Sequence, residues 1–510
     1  MARNEEAPAL QVIVLGSGGG PLENDTTAFL VRSLSGGFYK ASILAVDAGV
    51  HLSAIVKILE RYLPNFDGAS APNIFTVVDG PFKGLKSPYR SAKAIAAYIS
   101  GTLIGTYLIT HPHLDHISGF VINTANIAGP DRAKRLAGLP STIEAFKKHI
   151  FNNVIWPNLS DEGGVGLVNY TRLIEGGSSA MGEGEAKGYQ EICEGLSVKA
   201  WVVSHGNCSN NHQHRGAITL NVGPNVGANI GVNAGSNSGP VGATSSLGNS
   251  GLLVPEILSP MVKSGSEAHR RVSSLSNQDR PQHDYFSIIQ PESPMYEPTC
   301  VVDSSVYFIR DIRTGNEIVI FGDVEPDSIS LTPRNRHVWT QVAPIFKAGR
   351  LGAILIECSY DDSVTNDRLY GHMAPRYFIE ELKALAEEVE ICRREQEEID
   401  KGGYTSASFS AISRYPHIPL SSSPVSTLSP LSPLSRPPRC SAEEASTPYP
   451  SRRDKYPLKG LKIVVIHLKD RLDDGPPIGG IVSAQLQAYE EVEQFGCEFV
   501  FPKQGDALYF

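Results

Sequence analysis

Thr110-His111-Pro112-His113-Leu114-Asp115-His116 packs three imidazoles and a carboxylate into one short stretch, directly behind the apolar run at 106–110. The β-branched and aromatic content of that run predicts a buried strand, and Pro112 forbids a helix across the histidines. The potential ligands are therefore expected on a loop at a strand's end. His111 and His113, two residues apart, can face one way, whereas Asp115 and His116 can face another. One loop can thus serve two metal ions. Imidazole and carboxylate donors without a cysteine suit zinc best, although manganese or iron would accept the same set.

Other apolar runs end in ligand-type residues. Residues 197–203 lead to His205, 317–321 to Asp323, 352–356 to Glu357, and 461–466 to His467. Upstream, strands are expected at 10–15, 28–34 and 41–47, the last ending at Asp47. The glycines at 16 and 18–20 make a turn where backbone can approach a ligand. Helical periodicity is present at 51–63, 89–100, 142–150 and 376–394. In the last of these, Phe378, Ile379, Leu382, Leu385 and Val389 form one stripe suited to packing on a sheet.

His-x-His-x-Asp-His resembles the signature of the metallo-β-lactamase superfamily, an α/β fold built as an αββα sandwich. The resemblance implies His111, His113 and His205 on one metal, Asp115, His116 and His467 on a second, and Asp323 bridging both. It also implies that Asp47 orients a ligand histidine. Within the superfamily, His111 to His116 followed by Ile117-Ser118-Gly119 is similar to the class II, fungal low-affinity cyclic-nucleotide phosphodiesterases. So are Gly18-Gly19-Gly20-Pro21-Leu22-Glu23-Asn24, Trp156-Pro157-Asn158 and Leu369-Tyr370-Gly371-His372, whereas Phe120 and Thr124 depart from the pattern. That family hydrolyses cyclic AMP, with cyclic GMP as a second substrate, to the 5′-monophosphate. The order Glu357 then His372 is similar to the Glu/His pair of the related tRNA-processing nucleases. It implies a role for His372 as general acid with Glu357 as its orienting group, while the superfamily signature implies a catalytic role for Asp115.

The ligands span 111 to 467, so the 510 residues are expected to form one domain, and the extra length is insertion. The first insertion, 207–298, is Gly/Asn/Ser-rich with few bulky apolar residues. The second, 395–456, is rich in Ser and Pro, and both are expected to be disordered. Within the first, Arg270-Arg271-Val272-Ser273 offers a phosphosite at Ser273 to a basophilic kinase. No basic and apolar leader and no membrane-length apolar run is present, and the 7 cysteines form no CxxC pair. The expectation is a cytoplasmic protein without a membrane partner. With 45 Lys and Arg against 54 Asp and Glu, net charge −9, the chain lacks the basic footprint of a nucleic-acid binder. A small anionic substrate fits better than tRNA, and a retained ligand set speaks against an inactive scaffold.

Overall fold

The computed structural model describes residues 7–64, 74–127, 133–208, 300–400 and 455–510. Its first part supplies β1 (Leu10–Gly16), β2 (Ala28–Ser33), β3 (Ile43–Val46), α1 (Leu52–Tyr62), a short pairing of β4 (Phe75–Thr76) with β5 (Lys86–Ser87), and α2 (Ala92–Tyr98). Then follow β6 (Ile104–Leu108), α3 (Leu114–Asn123), β7 (Lys134–Gly138), α4 (Pro140–Ala145) and β8 (Val168–Arg172). The second part supplies β9 (Gln190–Cys193), β10 (Leu196–Cys208), β11 (Cys300–Asp311), β12 (Glu317–Phe321), α5 (Asn335–Lys347), β13 (Leu351–Glu357) and α6 (Pro375–Asp400). It closes with β14 (Lys462–Ile466), α7 (Ile478–Glu493), β15 (Glu498–Val500) and β16 (Ala507–Tyr509).

Two seven-stranded sheets result, ordered β16-β1-β2-β3-β6-β7-β8 and β15-β14-β13-β12-β11-β10-β9. Side-chain alternation stacks them. Val12, Val14, Leu44 and Val46 of the first sheet share a core with Ile318, Ile320, Val464 and Ile466 of the second. Their neighbours point outward. Ile13, Leu15 and Ala45 meet Ile55 and Ile58 of α1 and Ile117 and Phe120 of α3. Val319, Phe321, Ile463 and Val465 meet Trp339 of α5, Phe378 and Leu382 of α6, and Val482 of α7. Each central strand is apolar on both faces because both faces are covered, which is the condition under which parallel strands occur. The layers are α, β, β, α: the metallo-β-lactamase-like sandwich.

Parallel pairing positions the site. β3 and β6 run parallel, as do β12, β13 and β14. Residues that follow these strands, Asp47, His111, Asp323 and His467, therefore emerge on one edge with Glu357, the last residue of β13. β2 is antiparallel to β3, so Thr27, just before β2, reaches the same edge.

Three expectations need correction, at the start of α3, in β10 and at the end of α6. Pro112 does exclude a helix over His111 to His113, but α3 starts at Leu114, so Asp115 and His116 lie in a helix's first turn and not on a loop. β10 continues through His205 instead of ending before it. A register shift against β11 between Ser204 and Asn207 marks a bulge, with Gly206 at φ 70°, and bulges of this kind re-aim side chains. The glycine turn after β1 approaches the protein's own backbone: Gly19 N–H donates to Leu468 O, and a Cβ on Gly19 would stand 2.6 Å from the His467 ring. In addition, α6 extends to Asp400, so regular structure enters the span from Glu395 expected as insertion. Ser273 and the remaining insertion text at 209–299 and 401–454 lie outside the described residues.

Candidate metal centre

The strand-edge residues converge into two ligand groups that share one carboxylate. His111, His113, His205 and Asp323 form one, and Asp115, His116, His467 and Asp323 the other, with the donor atoms of each group within 4.8 Å of one another. Asp323 Oδ2 lies 3.6 Å from His111 Nε2, 3.6 Å from His205 Nε2 and 3.2 Å from His467 Nε2, while Oδ1 lies 3.2 Å from His116 Nε2. The carboxylate thus faces both groups. Asp115 Oδ2 reaches to 3.6 Å from His467 Nε2.

Each buried ring is fixed through Nδ1, which leaves Nε2 pointing inward. His116 Nδ1 donates to Asp47 Oδ2 at 2.8 Å. Thr110 donates its backbone N–H and its hydroxyl to the same carboxylate, both at 2.8 Å. With its proton so committed, Thr110 Oγ1 accepts from His111 Nδ1 at 3.1 Å. His205 Nδ1 donates to Gly371 O at 2.9 Å. His467 Nδ1 donates to Thr27 Oγ1 at 2.7 Å, and that hydroxyl in turn donates to Gly18 O. The Nε2 atoms of His111, His116 and His467 are buried and have no hydrogen-bond partner. Orphaned buried nitrogens cost free energy, and three of them aimed at one carboxylate are what a cation site requires. Asp47 and His467 hold left-handed backbone, φ 53° and 59°, a strain of the kind found at functional sites.

Electrostatics agree with this reading. Burial holds the His205 imidazole down at about 3 and that of His111 far below the ordinary range, and it lowers His113 and His467 as well. These rings are neutral donors near pH 7. Burial opposes charge on His116 too, but Asp323 and Asp47 on either side outweigh it and hold the ring well above its usual value. Two carboxylates around that ring call for positive charge. Burial would raise Asp323 and Asp115, but His116 and His467 hold both below the ordinary carboxylate range.

Beside these groups, His372 Nδ1 sits 2.9 and 3.1 Å from the two oxygens of Glu357. Its ring stands between those of His205 and His467, with centroids 4.8 and 5.2 Å away. Glu357 accepts from Val324 N–H at 2.8 Å and from the Ser359 hydroxyl, and its contact with His372 holds it ionised against burial. Every candidate within the described residues thus comes to one place. Sequence reasoning missed Thr27, Ser359 and the Gly371 carbonyl, which act through a hydroxyl or the backbone and carry no spacing signal.

Comparison with known proteins agrees with the geometry. A sequence model of the family described as "cAMP phosphodiesterases class-II" matches residues 39–209 and 263–399. The chain belongs to the class-II cyclic AMP phosphodiesterases. This phosphodiesterase is 26% identical over 371 residues to a 3′,5′-cyclic-nucleotide phosphodiesterase of Schizosaccharomyces pombe, covering 73% of each chain. It is 25% identical over 411 residues to one of Candida albicans, covering 74% of this chain and 83% of the relative. Among solved structures, unliganded yeast PDE1 superposes with a TM-score of 0.58 at 19% identity, over 99% of this chain and 100% of that one, which shows the shared fold. Among the described residues, no helix of the phosphodiesterase is long and apolar enough to cross a membrane.

Proposed function

We propose that this phosphodiesterase hydrolyses 3′,5′-cyclic AMP, with cyclic GMP as a second substrate, to the nucleoside 5′-monophosphate, and so lowers cyclic-nucleotide signalling. The observation that carries the reading is the pair of histidine sets sharing Asp323 next to a Glu357–His372 couple, within a class-II chain. We assign His111, His113, His205 and Asp323 to one divalent cation, and Asp115, His116, His467 and Asp323 to a second. Zinc is favoured by the imidazole and carboxylate donors. When bound, such cations lower the pKa of a water to about 7 and neutralise phosphodiester charge.

The protein's own groups then do the rest. His113 is exposed and Asp115 is half-buried, while the other ligands are buried, so the substrate approaches from the His113 and Asp115 side. Asp115 and Asp323, held ionised, face the Nε2 atoms of the imidazoles, which their Nδ1 partners keep aimed inward. His372 has Nδ1 committed to Glu357, so Nε2 is the atom that delivers a proton to the departing 3′-oxygen as the P–O3′ bond breaks. Glu357, pinned by Val324 and Ser359, holds the ring in that orientation. Residues 1–510 read as one catalytic domain with insertions. The free thiols of Cys193, Cys358, Cys392 and Cys497 support a reducing cytoplasmic setting.

The test is hydrolysis of cyclic AMP, cyclic GMP and a precursor tRNA by wild-type protein and Asp115→Ala, with metal content measured on the same samples. Release of 5′-AMP by the wild type, lost in the variant together with bound metal, is expected. Cleavage of tRNA alone, or full metal with no turnover of any substrate, would overturn the proposal.

A further inference from the structure

The turn Leu369-Tyr370-Gly371-His372 is closed by a hydrogen bond from His372 N–H to Leu369 O at 3.0 Å, and both central residues have positive φ, 50° for Tyr370 and 82° for Gly371. That is a type I′ turn, whose first central position is ordinarily taken by Asn, Asp or Gly. A tyrosine there bears steric strain that a bulky side chain rarely tolerates. Packing does not offset it: Leu369 is fully buried, yet the Tyr370 side chain is 73% exposed.

The turn itself is rigidly tied to the metal centre. Gly371 O takes the Nδ1 proton of His205, a Cβ on Gly371 would stand 2.7 Å from Gly206 N, and His372 is locked to Glu357. The exposed Tyr370 side chain is therefore carried on backbone that is fixed next to His205. On the side from which the substrate approaches, Leu114 lies between ligands His113 and Asp115 and is 68% exposed. The candidate ligand groups are imidazole and carboxylate, with the half-buried ring of Tyr360 6.0 Å from that of His372. Leu114 and Tyr370 add exposed apolar surface next to them.

We infer that Tyr370 is a substrate-binding residue that stacks on the purine base of the cyclic nucleotide, with Leu114 as a second apolar contact. The inference deepens the phosphodiesterase reading and rests on it. Base–aromatic stacking tolerates either purine, so it contributes affinity for the base without choosing adenine over guanine.

The experiment compares wild type, Tyr370→Phe, Tyr370→Ala and Leu114→Ala on cyclic AMP and on a base-free ribose 3′,5′-cyclic phosphate, with metal content measured throughout. Alanine at φ 50° is strained as tyrosine is, so the turn gains nothing by relaxing. Expected are a KM for cyclic AMP raised about tenfold in Tyr370→Ala and less in Leu114→Ala. Tyr370→Phe should retain wild-type KM, and the base-free substrate should respond to neither alanine variant at full metal content. An unchanged KM for cyclic AMP in Tyr370→Ala, or an equal loss on both substrates, would overturn the inference. A wild type that turns over neither substrate would instead overturn the phosphodiesterase reading.

Discussion

Asp47→Asn tests how the centre is built, because it changes one oxygen to nitrogen at a position whose left-handed backbone asparagine tolerates. In the wild type, Asp47 Oδ1 accepts from Thr110 N–H, and Oδ2 accepts from both the Thr110 hydroxyl and His116 Nδ1–H, all at 2.8 Å. An amide cannot satisfy all three. If its oxygen faces Thr110 N–H, its NH2 meets His116 Nδ1–H, and the ring must shift to the tautomer that puts a proton on Nε2. That nitrogen then cannot ligate, and metal affinity should fall by about 10–100-fold, the usual effect of losing a group that orients a ligand histidine. If instead the amide is reversed, its NH2 opposes Thr110 N–H in a buried site, at a cost of roughly 1–3 kcal/mol of stability. Metal retention against graded chelator and urea unfolding of the metal-free protein distinguish the two. A variant matching wild type in both measurements would refute the reasoning.

Three other changes probe separate parts of the molecule. His372→Ala should lower kcat for cyclic AMP by about 10²–10⁴ while both metal content and fold persist, as measured by steady-state kinetics beside metal analysis; loss of metal would instead make His372 structural. In Gly49→Ala the new methyl would stand 1.8 Å from Asp115 O and 2.7 Å from Thr26 Oγ1, so the start of α3 must move. Thermal unfolding should show a loss of roughly 1–3 kcal/mol, and bound metal should fall with it. His51 is held down at about 3, first by burial and then by Lys134, with its Nε2 on Tyr107 OH at 2.9 Å. Its folded value lies below its unfolded value near 6.5, so its contribution to stability is complete above that pH and is lost as pH falls toward 3. The slope is roughly 1.4 kcal/mol per pH unit. Urea titrations of metal-free wild type and His51→Gln between pH 5 and 7 should diverge with a slope that grows to about one proton toward pH 5, and parallel curves would contradict this.

The candidate ligands were legible because two physical demands coincide in the chain. Strands covered on both faces must be continuously apolar, and ligands that meet must leave such strands at one edge, so Asp323 and His467 each follow an unbroken apolar run. His205 breaks the rule by lying inside β10, where a bulge aims it, and a bulge has no sequence mark stronger than the adjacent Gly206. α3 was hidden for a related reason. Its first turn carries Asp115 and His116, so the positions that would reveal helical periodicity hold ligands instead.

α5 was illegible at both ends. Pro344 inside it reads as a helix breaker. Its first turn is capped from a distance: Asp327 Oδ1 accepts from Arg334 and Asn335 N–H, and Oδ2 accepts from Arg336 N–H. A cap lying seven residues upstream of Arg334 satisfies the same amides as an adjacent one but appears in no local pattern. The distance has a structural use. Asp327 N–H donates in turn to Glu381 of α6, whose other oxygen accepts from Trp339 Nε1 of α5. The chain four residues past Asp323 is therefore tied to two of the three helices that cover its sheet. A carboxylate that faces two candidate ligand groups needs a backbone that cannot drift toward either, and this capping network anchors the segment that follows it.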